Sequence, residues 1–256
     1  MKVISIFNNK GGVGKTTSAQ NIGAGLAIFA SKRVLIIDAD QQANLTLSFG
    51  IRLNKDQFNV ANYILQESTL SETRIQYKQS SIDILPSSFE IRRYDKKIEE
   101  SKIYPFNLHK ILDKIQDQYD FVIIDCPPSI STFTQMALVA SHKYYIPLQV
   151  DYFSYEGLRN FAMYIDELKK IAPHLELGGI FATRFNPKKR NSLNKEIMNT
   201  VRANLGDKIL KTYIRENTTL TSAQSNGVHI FEYDNQSNGA KDYHSLTAEI
   251  WETLNK

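Results

Sequence analysis

A glycine-rich segment near the start of the chain has the residue types that a phosphate-binding loop needs. From residue 8 to residue 17 it reads Asn-Asn-Lys-Gly-Gly-Val-Gly-Lys-Thr-Thr. Glycines let the backbone curl so that several N–H groups face one point, and the N-terminus of a following helix adds partial positive charge there. In such a loop Lys15 neutralises the β- and γ-phosphates of a nucleotide, and the Thr16 hydroxyl binds Mg²⁺. The segment predicts a site for a nucleoside triphosphate and its metal ion.

The sequence on either side of this loop supports the same interpretation. An apolar run over residues 3–7 precedes the loop, and a helical pattern over residues 16–30 follows it. Strand, glycine loop and helix in that order are the context that a phosphate-binding loop requires. A plain turn between a strand and a helix also uses glycine, but it has no need of Lys15. We therefore prefer the phosphate-binding interpretation.

Two acidic segments each follow a short apolar run. The first reads Leu-Ile-Ile-Asp-Ala-Asp-Gln-Gln and contains Asp38 and Asp40, and the second reads Phe-Val-Ile-Ile-Asp-Cys-Pro-Pro and contains Asp125. Ligands of open α/β folds bind at the edge where the carboxyl ends of the strands meet. Asp125 has the position of a Walker B acid, which holds Mg²⁺ through water. Each segment alone is also explained as a strand-end turn, but three motifs in this order favour a nucleotide site.

These motifs require elements that bring them to one edge of a sheet. Short runs rich in Val, Ile, Phe and Leu alternate with longer amphipathic stretches, and this alternation predicts a doubly wound, mostly parallel α/β sheet flanked by helices. The predicted strands cover residues 3–7, 34–37, 82–85, 121–124, 144–147 and 179–182. The predicted helices cover residues 16–30, 106–118, 155–171, 192–205 and 240–254. Since no linker or repeat divides the chain, we expect one domain over residues 1–256.

The glycine loop departs from the ordinary P-loop in one specific way. The ordinary pattern has glycine five positions before Gly14, where this chain has Asn9. Residues 10–17 instead resemble the deviant Walker A signature of the ParA and MinD superfamily of ATPases, Lys-Gly-Gly-X-Gly-Lys followed by two Ser or Thr residues. The resemblance implies that Lys10 reaches across a homodimer to the phosphates bound by the other subunit. It also implies a nucleotide site built from Lys10, Gly11, Gly12, Val13, Gly14, Lys15, Thr16, Thr17 and Asn217.

The first acidic segment resembles the family pattern Asp-X-Asp-Pro-Gln. The resemblance implies that Asp40, as its second aspartate, positions the attacking water, senses the γ-phosphate and is a possible Mg²⁺ ligand. Lys10, Lys15 and Asp40 are therefore the expected catalytic residues. Gln41 stands where the family has proline, which leaves the carboxylate in place.

Later segments narrow the resemblance to small ParA proteins without an N-terminal DNA-reading domain. They cover residues 152–158, 182–187, 193–196, 206–208, 214–217 and 231–234. Three positions depart from the family pattern: Arg215 and Gln224 replace prolines, and Thr219 replaces an arginine that contacts DNA. A compact basic cluster, Lys188-Lys189-Arg190, is the expected DNA-binding substitute. A solvated basic loop is the alternative interpretation of that cluster.

Composition sets limits on the class of protein. A net charge of +4 and a pI near 8.9 favour polyanionic partners only where the charge is concentrated. Cys126 is the single cysteine, so a disulfide within the chain is impossible and a cytoplasmic location is expected. The five histidines lack metal-ligand spacing and are interpreted as surface or packing residues.

The resemblance implies an ATPase of weak intrinsic activity that uses ATP and Mg²⁺. Its ATP-bound homodimer binds nonspecific DNA, which places it on the nucleoid, and a ParB-like partner stimulates hydrolysis and release. The cargo stays open among a plasmid, a chromosome and a protein assembly.

Two other functions remain as alternatives. A MinD-like membrane ATPase needs a basic amphipathic C-terminal helix, whereas residues 240–256 carry two lysines against three acids and an apolar stripe typical of packing, so no membrane partner is expected. A biosynthetic P-loop enzyme is the third hypothesis. Its iron–sulfur variant needs paired cysteines from each subunit, which this chain lacks.

Overall fold

The computed structural model describes residues 1–101, 103–150, 152–186 and 192–255, with the backbone alone for residues 152–156, 159–160 and 192–195. The described residues form a seven-stranded sheet in the order β3-β4-β2-β5-β1-β6-β7. All neighbours pair in parallel except β3, which runs antiparallel to β4. The predicted fold class, a mostly parallel doubly wound sheet, is confirmed.

The strands are β1 Lys2–Ile6, β2 Val34–Asp38, β3 Ile75–Gln76, β4 Ile82–Leu85, β5 Phe121–Asp125, β6 Lys143–Gln149 and β7 Glu176–Thr183. The α-helices are α1 Lys15–Phe29, α2 Asn44–Ser48, α3 Val60–Ile64, α4 Leu70–Thr73, α5 Asp95–Glu99, α6 Asn107–Asp113, α7 Thr132–Ala140, α8 Tyr152–Leu168, α9 Ser192–Leu205, α10 Thr218–Ser225, α11 Ile230–Tyr233 and α12 Asn238–Leu254. Short 3₁₀ helices cover Phe89–Tyr94 and Gly206–Lys208.

The central strands separate two hydrophobic cores. Side chains alternate along a strand, so Leu35 and Ile37 of β2 join the core under α6, α7 and α8, whereas Val34 and Ile36 join the core under α1 and α12. Every residue of β2 and β5 is buried. Continuous apolar runs are what a parallel sheet covered on both faces requires.

The structure adds elements that the sequence pattern did not predict. β3 has only two residues at the edge of the sheet, and α7 is nearly apolar all round, so neither gives a clear periodic signal. The helix predicted over residues 106–118 ends as an α-helix at Asp113. Among the described residues, the helices are too short or too polar to serve as a membrane span.

His229 is a buried packing residue with a second role as the N-cap of α11. Its Nδ1 accepts the N–H of Glu232 at 3.2 Å, and its ring lies beside the ring of Tyr77. Burial lowers the pKa of His229, and Lys78 adds to this while Glu232 opposes it. Nδ1 can accept only while the ring is neutral.

We therefore expect acid to destabilise the fold through His229. Because its pKa is lower in the folded chain than in the unfolded chain, the unfolded chain binds more protons, and stability falls as pH drops below the ordinary value of about 6.5. Asparagine also caps helices and does not titrate. Between about pH 7.5 and about pH 5.5, the melting temperature of His229→Asn should fall less than that of the parent. His244→Asn, at an exposed histidine of α12, is the control. An unchanged pH dependence in His229→Asn contradicts this assignment.

Candidate nucleotide-binding site

The loop between β1 and α1 has the backbone conformation of an anion-binding turn. Gly12 and Gly14 have φ values of +74° and +94°, in the left-handed region that glycine adopts without strain. α1 begins directly at Lys15, without a side-chain cap and without an acidic residue in its first turn. Its first N–H groups have no partner within the helix, so they are available to an anion together with the positive end of the helix dipole.

Lys15 lies inside the loop with only 7% of its surface exposed. Its Nζ donates a hydrogen bond to the carbonyl oxygen of Lys10 at 3.0 Å. Burial lowers the pKa of Lys15, while the nearby carboxyl groups of Asp125 and Asp40 raise it. The loop therefore holds the ammonium group close to two acidic side chains, Asp125 and Asp40.

Lys10 is anchored through its main chain. Its N–H donates to Asn8 Oδ1 at 2.9 Å, and Asn8 Nδ2 donates to the carbonyl oxygen of Pro147 in β6 at 2.8 Å. On the other side of the loop, Thr183 Oγ1 at the end of β7 donates to the carbonyl oxygen of Val13 at 2.9 Å. The sheet thus fixes the loop from two neighbouring strands.

Thr16 and Asp125 form a pair that fits a divalent cation. Thr16 Oγ1 donates to Asp125 Oδ2 at 2.7 Å, while Asp125 Oδ1 is buried and accepts no hydrogen bond from the described residues. Burial, followed by the charge of Asp38, raises the pKa of Asp125 well above its usual range. A divalent cation would supply a partner for this oxygen, and hydroxyl and carboxylate oxygens suit Mg²⁺.

The two aspartates after β2 have different environments. Asp38 is fully buried: its Oδ2 accepts the N–H and the hydroxyl of Thr46 at 2.8 and 2.7 Å, and its Oδ1 accepts the N–H of Asp40 at 3.1 Å. Burial raises the pKa of Asp38 to about 6. Asp40 Oδ1 accepts the N–H of Gln42 at 3.0 Å, and Asp40 lines the cavity beside the loop. Asp38 therefore orders the chain, and Asp40 is the one of these two carboxyl groups that lines the cavity.

Two adjoining cavities lie along the loop. The larger, about 590 Å³, contains Gly11, Gly12, Lys15, Thr16 and Asp40 in its wall. The smaller, about 260 Å³, is lined by Val13, Arg215, Asn217 and Leu220 among others. Gly14, Thr17, Arg184, Thr221 and Gln224 line both. Together they suit an elongated ligand with its phosphates at the loop.

Among the remaining predicted site residues, the structure describes Asn217 and Thr17 but not the basic cluster. Asn217 is the N-cap of α10, since its Oδ1 accepts the N–H of Thr219 at 2.9 Å, and it also lines the smaller cavity. Thr17 Oγ1 donates to Gln224 Oε1 at 3.3 Å, which ties α10 to the loop. The basic cluster at residues 188–190 lies outside the described residues.

Arg184 is a site residue that motif analysis missed. It follows β7 directly, has a φ of +52°, and lines both cavities. Its signal was a polar residue at the end of an apolar run, the same pattern that located Asp125. A cation at this edge of the sheet complements the phosphates that the loop can hold.

A parallel sheet with a glycine loop after its first strand, a buried lysine and a Thr–Asp pair defines the P-loop nucleotide-binding class. The sequence model of the family described as AAA domain matches residues 1–177. Chromosome-partitioning ATPase Soj of Treponema pallidum is 35% identical over 97% of this chain and 96% of its own length. Chromosome partitioning protein ParA of Caulobacter vibrioides is 31% identical over 98% and 94%, respectively. The chain belongs to the ParA family of P-loop ATPases.

Solved structures agree with this placement. A plasmid partition protein from Borrelia burgdorferi bound to AMPPNP has a TM-score of 0.79 and 26% identity, covering 99% of this chain and 98% of that one. Cobyrinic acid a,c-diamide synthase from Mycobacterium smegmatis with a bound ATP analogue and magnesium has a TM-score of 0.85 and 25% identity, covering 100% and 96%. One fold thus serves partition proteins and a biosynthetic enzyme, so function has to be argued from the site.

Proposed function

We propose that this chain is a ParA-type positioning ATPase in which ATP, with Mg²⁺, closes two subunits into a dimer that binds nonspecific DNA. Hydrolysis, stimulated by a ParB-like partner, dissolves the dimer and releases the DNA. The observation that carries the proposal is the loop itself, where buried Lys15 is held by the main chain of Lys10 beside the Thr16–Asp125 pair. Residues 1–256 act as one ATPase unit, located in the cytoplasm and on the nucleoid when ATP is bound.

Each site residue has a distinct task in this proposal. Gly11, Gly12, Val13, Gly14 and Thr17 wrap their backbone around the phosphates. Lys15 neutralises the charge on the β- and γ-phosphates, a role that its buried position strengthens because less water screens it. When bound, Mg²⁺ offsets the negative charge on the phosphate oxygens, and Thr16 and Asp125 are the residues that hold it.

Asp40 and Lys10 are the other two residues with a role in hydrolysis. Asp40 faces the cavity and orients the attacking water. Lys10 acts on the nucleotide of the other subunit, so that a site is complete only in the dimer. This dependence links nucleotide state to assembly, since loss of the γ-phosphate removes the contacts that hold the two subunits together.

DNA binding in this proposal depends on the basic cluster Lys188, Lys189 and Arg190. In a dimer these cations neutralise a few phosphates, so log affinity should fall against log salt with a slope of about −3 to −5. Changing all three to glutamine should weaken ATP-dependent binding of duplex DNA and flatten the slope. Fluorescence anisotropy at several salt concentrations, with ATP, with ADP and without nucleotide, measures both quantities.

The control for that experiment makes the same change of charge elsewhere. Arg93, Lys96 and Lys97 form another compact basic group, around the start of α5, and their replacement by glutamine should leave the slope unchanged. Equal affinity with ATP, with ADP and without nucleotide would contradict the proposed cycle. Equal slopes in both triple variants would contradict the assignment to residues 188–190.

Two observations bear on the alternative functions. Tyr243, Leu246, Ile250 and Leu254 of α12 are buried against the core that contains α1, so this helix has no apolar face left for a membrane. Liposome flotation with ATP tests this directly, and recovery with the lipid fraction would favour a MinD-like function. The likeness to the cobyrinic acid enzyme is the observation behind the biosynthetic alternative. Turnover that depends on a small-molecule substrate, without stimulation by DNA or protein, would support it.

A further inference from the structure

The smaller cavity has an arginine in its wall that is held by a buried acid. Arg215 Nη2 donates to Asp242 Oδ1 at 2.6 Å, and Nε donates to Oδ1 and Oδ2 at 3.1 and 3.0 Å. The main-chain N–H of Arg215 also donates to Oδ2 at 2.9 Å. Asp242, in α12, is 8% exposed. One carboxylate therefore fixes both the side chain and the backbone of Arg215.

The position of this cavity identifies the part of the nucleotide that it receives. The larger cavity contains Asp40, Lys15 and the first glycines of the loop, where the γ-phosphate end belongs. The smaller cavity begins at Gly14 and Thr17 and continues along residues 214–218. A nucleotide with its phosphates on the loop therefore extends its base towards Arg215.

We propose that the guanidinium group of Arg215 stacks on the purine ring of the bound nucleotide, and that Asp242 is the residue that positions it. This inference rests on the proposed function, because it assumes that ATP is the ligand. Asp242 contacts the Nε–Nη2 edge of the guanidinium group and therefore does not itself cover the flat face, and a third of the Arg215 side chain is exposed. Planar guanidinium groups stack well on such rings. Ile214 and Leu220, which also line the cavity, add apolar wall.

Stability alone does not explain why Asp242 is buried beside Arg215. Removing water from a carboxylate is unfavourable, and an apolar pair of similar volume often stabilises a protein as well or better. Arg215 keeps a third of its side chain exposed towards the cavity and solvent, whereas Asp242 is buried. An acid that orders a partly exposed arginine at a ligand cavity is the arrangement that a positioning role requires.

The test compares two ligands that share the phosphates and differ in the base: Mg·ATP and Mg·tripolyphosphate. By titration calorimetry, Arg215→Leu should bind ATP about tenfold more weakly and tripolyphosphate within about twofold of the parent. Asp242→Asn leaves the cavity wall in place but loosens the guanidinium, and it should weaken ATP binding by about threefold. Arg215→Leu alone leaves the Asp242 carboxylate buried without its partner, so the double variant Arg215→Leu/Asp242→Asn is measured beside it. If Asp242 acts only through Arg215, the double variant should match the effect of Arg215→Leu.

Arg33 and Asp120 provide a matched control, since they directly precede β2 and β5 at the edge of the sheet opposite the glycine loop. Their pair has the same pattern, with the N–H, Nε and Nη2 of Arg33 donating to the Asp120 carboxylate at 2.8, 3.4 and 3.1 Å. Arg33→Leu/Asp120→Asn should bind both ligands like the parent.

The outcomes separate this inference from the proposed function. Unchanged ATP binding in Arg215→Leu and in the double variant, or equal losses for ATP and tripolyphosphate, would overturn the stacking role. A parent protein that binds neither ligand would instead overturn the proposed function itself. A selective loss of ATP binding in the Arg215 variants, with the Arg33 control unaffected, supports the inference.

Discussion

Replacing Asp40 with alanine is expected to lower ATP turnover by about a hundredfold or more while leaving ATP binding close to that of the parent. The reason is that the two acidic residues after β2 have different contacts and therefore different roles. Both carboxylate oxygens of Asp38 accept hydrogen bonds, from Thr46 and from the N–H of Asp40. Asp40 instead lines the cavity, and its carboxylate accepts a hydrogen bond from the N–H of Gln42. Removing Asp40 takes away a group that faces the reacting end of the nucleotide and keeps the acid that orders the chain.

The same variant should accumulate as an ATP-bound dimer on DNA, because release requires hydrolysis. Single-turnover phosphate release measures the chemical step, and sedimentation with ATP measures the dimer. Asp166→Ala, at an exposed carboxylate on α8, serves as the control and should behave like the parent in both assays. If Asp40→Ala forms neither an ATP-dependent dimer nor a DNA complex, the proposed mechanism is wrong.

Replacing Lys15 with glutamine should act at an earlier step, because it removes nucleotide binding itself. The ammonium group is buried, donates to the carbonyl oxygen of Lys10, and lies among acidic side chains. Without it, the phosphates would meet the carboxyl groups of Asp125 and Asp40 with no cation from the loop. We expect affinity for Mg·ATP to fall by at least about a hundredfold.

Titration with a fluorescent ATP analogue checks this expectation. Lys170→Gln, which breaks an exposed ion pair with Glu167, provides the charge-matched control and should bind like the parent. Binding by Lys15→Gln within about threefold of the parent would show that the phosphates do not lie on this loop.

Local patterns were enough to predict the parallel strands and to place the glycine loop, Asp40 and Asp125 at one edge of the sheet. The strands of a parallel sheet are short apolar runs, and Asp40, Asp125 and the glycine loop each sit at the end of such a run. Because parallel strands bring their carboxyl ends to one edge, a linear pattern of this kind already specifies which side chains meet. The sequence order of loop, Asp40 and Asp125 thus corresponds to β1, β2 and β5, which the structure places side by side.

Other features depend on residues that are distant in sequence. The family resemblance selects Asp40 over Asp38, but the residue pattern alone gives no physical reason for that choice. The reason is the contact of Thr46 with Asp38, which uses one oxygen of that carboxylate, whereas Asp40 lines the cavity. The pairing of Arg215 with Asp242 joins the segment before α10 to α12, and nothing in either segment alone predicts it. The sequence predicts a surface or packing role for His229, and its additional role as a helix cap depends on where α11 begins.

The proposed ATPase cycle depends most on Lys10 acting across the dimer, and mixing two inactive variants tests this role most directly. In a mixed dimer of Lys10→Ala and Lys15→Gln, the Lys10→Ala subunit keeps its own Lys15 and receives an intact Lys10 from its partner, so one site is complete. We expect each variant alone to be nearly inactive and the mixture to recover ATP turnover, in proportion to the mixed dimers counted by two affinity tags. Mixed dimers that form without any gain in turnover would contradict the account, because Lys10 would then serve the nucleotide of its own subunit.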